Sequence, residues 1–177
     1  MFEFIKWSIF ILFSIALIVF SWESLQKVRG YGFFRFFVFE ALLSLLLVNV
    51  EYWFIDPFSP LQIVSWIFLG SSLIVALIGT YILVTKSKLK NKIENSLPMV
   101  KTGIYRYIRH PLYGSLILFG IGAFLKQISI VSIIDLIAVV ALVIITSRIE
   151  EDENLEKFGS EYSYYLKTTK MFVPHLF

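Results

Sequence analysis

The sequence predicts an all-α, polytopic membrane protein with about five transmembrane helices, a C-terminal helical hairpin and a cytosolic amphipathic tail. Three observations predict it. Hydrophobic residues make up 58% of the chain and the mean hydropathy is +0.78, whereas a soluble domain sits near ~45–50% apolar. Several apolar runs reach the length of about 20 residues that a bilayer crossing needs. Lysine and arginine gather in one set of short loops and are sparse in the other, the asymmetry that orients membrane proteins.

The first apolar segment is about Phe4–Phe20. It is too long for a cleavable signal peptide, and Ser21-Trp22-Glu23 after it makes a poor cleavage site. An interfacial position would also suit it. The second is about Phe33–Ile55, interrupted by Glu40, Asn49 and Glu51. Polar groups inside a span default to functional or paired roles. Glu40 is expected to pair with Arg35 or a helix neighbour, although a spacing of five is poor for a same-helix pair. Glu51 falls at the outer interface. The third segment is about Leu61–Thr85 and the fifth about Ile128–Ser147. The fourth, about Pro111–Leu125, spans only roughly 22 Å at ~1.5 Å per residue. It therefore needs neighbouring residues or a locally thinned bilayer to cross.

Loop Lys86–Arg109 carries Lys86, Lys88, Lys90, Lys92, Lys101, Arg106 and Arg109, and loop Ser21–Gly32 carries Lys27 and Arg29. The opposite connections are Asp56–Pro60, with no positive residue, and the tight Lys126-Gln127 turn. The expected topology is an integral membrane protein with its N-terminus outside and its basic loop and C-terminus in the cytoplasm. Residues 1–85 then form three N-terminal transmembrane helices. Residues 86–177 form the region that carries the chemistry: cytosolic loop, hairpin and tail. The Lys86–Lys92 run is expected to meet anionic lipid headgroups.

Composition excludes several chemistries. Cysteine is absent, so disulfides, iron–sulfur ligation and thiol catalysis are out. His110 and His175 are the only histidines, too few for a histidine-rich metal site, and no metal is expected; His175 reads as surface. No Gly-rich strand-to-helix motif marks a Rossmann domain, no nucleic-acid partner is expected, and no matched pair of broken helices suggests a transporter.

The fourth and fifth segments form a hairpin with a short external turn, so "RYIRHPLY" and "SRIEEDENLEKFG" meet on one cytoplasmic face. Pro111 suits the first turn of a helix, where its missing N–H costs nothing, and His110 falls near the N-cap. Such a helix start attracts anionic groups. Arg106, Arg109 and His110 add donors there, and Glu150 and Glu151 stand opposite. Facing cationic and anionic groups suit a zwitterion such as an amino-acid moiety. Tyr105, Tyr107 and Tyr113 supply rings and hydroxyls.

"GIYRYIRHPLYGS" and "EEDENLEKFGSEYSYYLKTTKMFVPHLF" resemble the two signatures of the isoprenylcysteine carboxyl methyltransferase and phospholipid methyltransferase superfamily. These read G-x-Y-x-x-x-R-H-P-x-Y and E-E-x-x-L-x-x-x-F-G-x-E-Y-x-x-Y. Leu155 follows Glu151 by four residues, so the register of Glu150, Glu151 and Glu153 in the second signature stays open. Gly114 follows Tyr113 directly, where many members have glycine two places on. The resemblance covers about Leu97–Phe177, and the N-terminal half carries no signature.

The resemblance implies a membrane-embedded methyltransferase that uses S-adenosyl-L-methionine. Donor would enter from the cytoplasm beneath the C-terminal segment, and a lipophilic small molecule or prenylated peptide would enter sideways from the bilayer. It implies cofactor contacts from Gly103, Tyr105, Arg109, His110, Pro111, Tyr113, Glu150 and Glu151, with Arg109 and Glu150 the catalytic pair. Arg109 would hold the cofactor's carboxylate or pair with Glu150. Tyr165 and Glu161 also match motif positions; Glu161 is equally read as a surface partner of a lysine. The bland readings are a lipid-facing Arg109, a capping His110 and a solvated Glu150-Glu151. A carboxylate acceptor is already ionised and needs no general base, whereas an amine must lose a proton. The R-H-P-x-Y form favours carboxyl O-methylation of a prenylcysteine-like acceptor. The alternatives are phospholipid amine N-methylation, an NADPH-dependent membrane reductase of related architecture, and a non-enzymatic scaffold.

Overall fold

The computed structural model describes residues 2–90 and 99–174. Lys92 and His175 lie outside the described residues, as do the side chains of Lys88 and Lys90. Among the described residues six α-helices form: α1 (Phe2–Leu25), α2 (Tyr31–Val48), α3 (Pro60–Lys90), α4 (Pro111–Phe124), α5 (Ile130–Phe158) and α6 (Ser160–Thr168). Short 3-10 turns cover Val50–Tyr52 and Gly103–Arg106. Among the described residues there is no named strand, only an isolated parallel bridge between Ile108 and Lys170. Such helices close their backbone hydrogen bonds internally, as hydrocarbon requires.

Among the described residues, four helices are long and apolar enough to cross a membrane: Glu3–Leu25, Tyr31–Val48, Pro60–Lys86 and Ile130–Phe158. They make the chain an integral membrane protein. Helix α4, 14 residues long, spans about 21 Å at ~1.5 Å per residue and falls short of a ~30 Å hydrocarbon core.

Several segment ends differ from expectation: α1 runs to Leu25 and α3 to Lys90, each five residues beyond the expected end, which places Lys86, Lys88 and Lys90 on α3 rather than in the loop. The second span stops at Val48 rather than near Ile55, because Asn49 is pulled inward. Its side-chain amide donates to the Ala123 carbonyl at 2.9 Å and its oxygen accepts from Ser132 Oγ at 3.0 Å. The fifth helix does not stop at Ser147 but continues to Phe158. The acidic run after Ser147 leaves the apolar layer without leaving the helix, since Glu, Leu and Lys are good helix formers. Gly159, at φ 56°, then turns the chain into α6 in a backbone region that suits glycine.

The helices pack as two main pairs, α3 on α4 and α2 on α5, with α1 laid against α2. Small residues let α4 fit. A Cβ on Gly122 would meet Leu69 Cγ of α3 at 2.7 Å, and such close approach drives packing where no water is available to expel. Ser65 Oγ donates to the Gly122 carbonyl at 2.7 Å, and Ser72 Oγ to that of Ser115 at 2.8 Å. The core joins Val38 and Leu42 of α2, Tyr113 of α4, and Val139 and Val143 of α5.

The isolated polar residues find partners across helices. Glu40 accepts a hydrogen bond from Ser14 Oγ of α1 at 2.8 Å rather than pairing with Arg35. Glu51 forms an ion pair with Lys6. Lys126, in the α4–α5 turn, is buried; its Nζ lies 3.1 Å from Gln62 Oε1 and 3.4 Å from the centre of the Trp66 ring.

Candidate active site

The site grows from the start of α4. His110 is the N-cap and Pro111 the first helical residue. The segment before them is strapped to the tail by backbone bonds. Lys170 N–H donates to the Tyr107 carbonyl at 3.1 Å. Arg109 N–H donates to Lys170 at 2.8 Å, and His110 N–H to Met171 at 3.1 Å. Upstream, Gly103 has φ 61°, and a Cβ there would meet Ile82 Cδ1 of α3 at 2.4 Å. Glycine at 103 thus sets the turn that brings Tyr105 inward.

Arg109 is clamped. Its Nε donates to Glu151 Oε1 at 2.6 Å, and its Nη1 donates to the carbonyls of Leu166 and Thr169. His110 Nε2 lies 3.1 Å from the same Glu151 oxygen. The Arg109 and Glu151 side chains are only 10% and 12% exposed. The ion pair expected from Arg109 to Glu150 therefore forms with Glu151. Successive residues on a helix point about 100° apart, so Glu151 faces the α4 start while Glu150 faces the space between helices.

That space is a cavity of about 320 Å³, large enough for a nucleoside-sized ligand. Tyr105, Arg109, His110 and Glu150, all expected at the site, line it together with Glu153, Asn154, Lys157, Tyr162 and Tyr165. Leu83, Met99, Val100 and Phe158 supply apolar wall, and Tyr31 closes it from α2. Gly103, Pro111, Tyr113 and Glu151 do not line it: Gly103 and Pro111 set backbone, Glu151 holds Arg109, and Tyr113 packs in the core. The Tyr113 ring stacks obliquely on His110 at 5.6 Å, and its hydroxyl interacts with Glu150.

Three residues at the second signature now separate. Glu151 is the clamp, Glu150 faces the cavity, and Glu153 lines its rim while accepting the Tyr31 N–H at 3.3 Å. Glu161 sits outside, paired with Lys101 at 2.9 Å. Tyr165 donates its hydroxyl to the Tyr105 carbonyl at 2.6 Å, fixing the aromatic floor. Burial, with the Glu150 charge, pushes the Tyr105 hydroxyl up to about 12. Burial, then the Glu151 charge, pushes Tyr162 to about 12. Both remain neutral donors at physiological pH.

Sequence reasoning missed Tyr31 and Leu83, which come from helices with no signature, and the α5 extension residues Asn154 and Lys157. The only signal for the last two was continued helical spacing from Glu150, since residues four and seven on share its face.

The cavity fits S-adenosyl-L-methionine on its donor set. Glu150 and Glu153 suit an ammonium and a sulfonium, while Lys157, His110 and the remaining Arg109 N–H groups suit a carboxylate. Tyrosine rings and apolar wall suit an adenine face.

Among curated proteins and among solved structures, nothing matches the chain. Residues 63–156, just over half of the chain, match the isoprenylcysteine carboxyl methyltransferase family. The match runs from α3 through the clamp and Glu150 into the α5 extension, and families of this kind are membrane methyltransferases that use S-adenosyl-L-methionine. The chain belongs to the isoprenylcysteine carboxyl methyltransferase family.

Proposed function

We propose that this protein methylates the carboxylate of a lipophilic, prenylcysteine-like acceptor at the cytoplasmic face of a membrane. The observation that carries this reading is the position of Glu150. It lines the cavity on one side and approaches Tyr113 of the apolar core on the other. In this reading residues 86–177 supply the chemistry and residues 1–85 shape access from the bilayer. The N-terminus lies outside, and the basic loop and the tail lie inside.

When bound, S-adenosyl-L-methionine supplies a methyl group on a positively charged sulfur, and the bonding pair stays on sulfur as the methyl leaves. The protein's own work is alignment and exclusion of water. Glu150 and Glu153 bind the cationic parts of the donor. His110, Lys157 and Arg109 bind its carboxylate, and Arg109 is held still for this by Glu151 and the tail carbonyls. Tyr105 and Tyr162 keep their protons and serve as hydrogen-bond donors. No residue has to remove a proton, because a carboxylate acceptor is already an anion and its ester is neutral.

The test is methyl transfer by the purified protein in lipid nanodiscs, using methyl-labelled donor and paired acceptors. An S-prenylcysteine, its amine analogue and phosphatidylethanolamine are offered in turn, with products identified by mass spectrometry. Label in a base-labile methyl ester is the expected outcome. Label on nitrogen alone would replace this reading with amine N-methylation. Saturable binding of NADPH in place of the sulfonium donor would point to a reductase.

A further inference from the structure

Arg35 is a cation inside a membrane-length helix, with no acidic partner among the described residues. It sits in the second turn of α2, four residues beyond Tyr31. Among the described residues it forms no ion pair. Glu40, the nearest acid in sequence, is engaged with Ser14 instead. An unpaired charge at such a depth is costly, so it calls for a counter-ion.

Arg35 is half-buried, at the edge between the packed face of α2 and the face that exposes Phe39. Residues seven apart share a helix face, and Leu42 and Asn49, seven and fourteen positions on, are 6% and 0% exposed. Leu42 belongs to the core with Tyr113. The Arg35 guanidinium lies 5.2 Å from the centre of the Tyr31 ring, and Tyr31 lines the cavity. The charges of Arg35 and Glu150 both act on the Tyr113 hydroxyl. So a cation from α2 and an anion from α5 flank one phenol of α4 without pairing with each other.

Arg35 itself is not part of the cavity wall. It lies about 6 Å deeper along α2 than Tyr31, at ~1.5 Å per residue, toward the hydrocarbon. A water-soluble donor in the cavity would meet Tyr31, whereas Arg35 is placed for a ligand whose greasy body lies in the bilayer. A guanidinium fork matches a carboxylate with two parallel hydrogen bonds.

We propose that Arg35 binds the carboxylate of the lipophilic acceptor, making α2 the element that selects anionic over neutral acceptors. This rests on the carboxyl-methylation reading above, and it assigns the selection to a helix outside the matched residues. The Arg35 fork holds the acceptor's charge beside Tyr113, while Glu150 on the other side disfavours an anion bound out of place.

The experiment uses the full-length protein in nanodiscs and measures binding without turnover, as ligand-induced thermal stabilisation. The ligands are an N-acetylated S-prenylcysteine, its carboxamide, and S-adenosyl-L-methionine. The wild type is expected to bind the carboxylate roughly 10-fold or more tighter than the carboxamide, the scale of a charged hydrogen bond. Arg35→Gln is expected to bring that ratio near one while leaving the donor's affinity within about 3-fold. Arg35→Lys, which keeps the charge but not the fork, is expected to fall between. Its donor binding also verifies folding should Arg35→Gln be unstable. A wild-type ratio near one, or a ratio unchanged in both variants, overturns the proposal. So does a loss of donor affinity matching the loss of acceptor affinity, which would give Arg35 to the donor's carboxylate. Failure of the wild type to bind the sulfonium donor at all would instead sink the methyltransferase reading, a separate result.

Discussion

Arg109 Nε and Glu151 Oε1 meet at 2.6 Å across 42 positions of sequence, and both side chains are nearly closed to solvent. This contact joins the start of α4 to the α5 extension, and the rest of the site is arranged around it. Removing one member of a buried pair typically costs about 3–5 kcal/mol, because the other charge is stranded. Arg109→Ala and Glu151→Ala should each lower the thermal unfolding midpoint sharply. The double variant should lose less than their sum, by about 1–3 kcal/mol. Unfolding curves of the three variants in one detergent check this; additive losses would mean the pair is not coupled.

Glu150, one residue earlier, should behave in the opposite way. It forms no ion pair among the described residues and faces the cavity. Glu150→Gln should leave the unfolding midpoint close to wild type. It should weaken S-adenosyl-L-methionine binding by roughly 10- to 100-fold, the equivalent of about 1.5–3 kcal/mol for a charged hydrogen bond. Calorimetric titration beside the Glu151 variant separates the two roles.

Alkaline pH probes the tyrosine floor. Tyr105 and Tyr162 are raised to about 12 in the folded protein, from an ordinary value of 10.0. Between those values the native state holds protons that the unfolded chain has released. Stability from these groups is therefore complete below pH 10 and is lost as pH climbs toward 12. Tyr105→Phe should make the fall in unfolding midpoint across that window shallower than in wild type. An unchanged slope would remove Tyr105 from the account.

Of the three backbone bonds in the tail strap, one is donated by the tail. Lys170 N–H bonds the Tyr107 carbonyl, and the Lys170 side chain is exposed. Thr169 before it is already extended, at φ −128° and ψ 162°, the conformation that a following proline requires. Lys170→Pro therefore mainly deletes the donor, and donor-substrate affinity should drop by roughly 5- to 10-fold, about 1 kcal/mol for one lost hydrogen bond. Lys170→Ala, which keeps the N–H, should match wild type. Equal behaviour of the two variants would show the strap to be dispensable.

Much of this molecule was legible from composition and spacing. The long apolar runs gave the helices, and the short turn before Ile130 placed Arg109 opposite the acidic run. What could not be read was azimuth. Glu150 and Glu151 are chemically identical neighbours, and only the packing of α2 and α4 against α5 decides which clamps and which faces the cavity. For the same reason Asn49 looked like an interruption of a span rather than its end, since its partners at Ala123 and Ser132 lie far off in sequence. Arg35 looked like a partner for Glu40 until Ser14 proved to take that carboxylate. Interhelical choices of this kind depend on which faces meet, and a single chain read in order does not carry them.

The bonds from Arg109 to Leu166 and Thr169 span 57 and 60 positions. On the ribosome, the guanidinium emerges long before the carbonyls that will sheathe it. By then both arms of the α4–α5 hairpin have been synthesised. Assembly of this cavity is thus a late event in biogenesis, complete only once the tail folds back onto the start of α4.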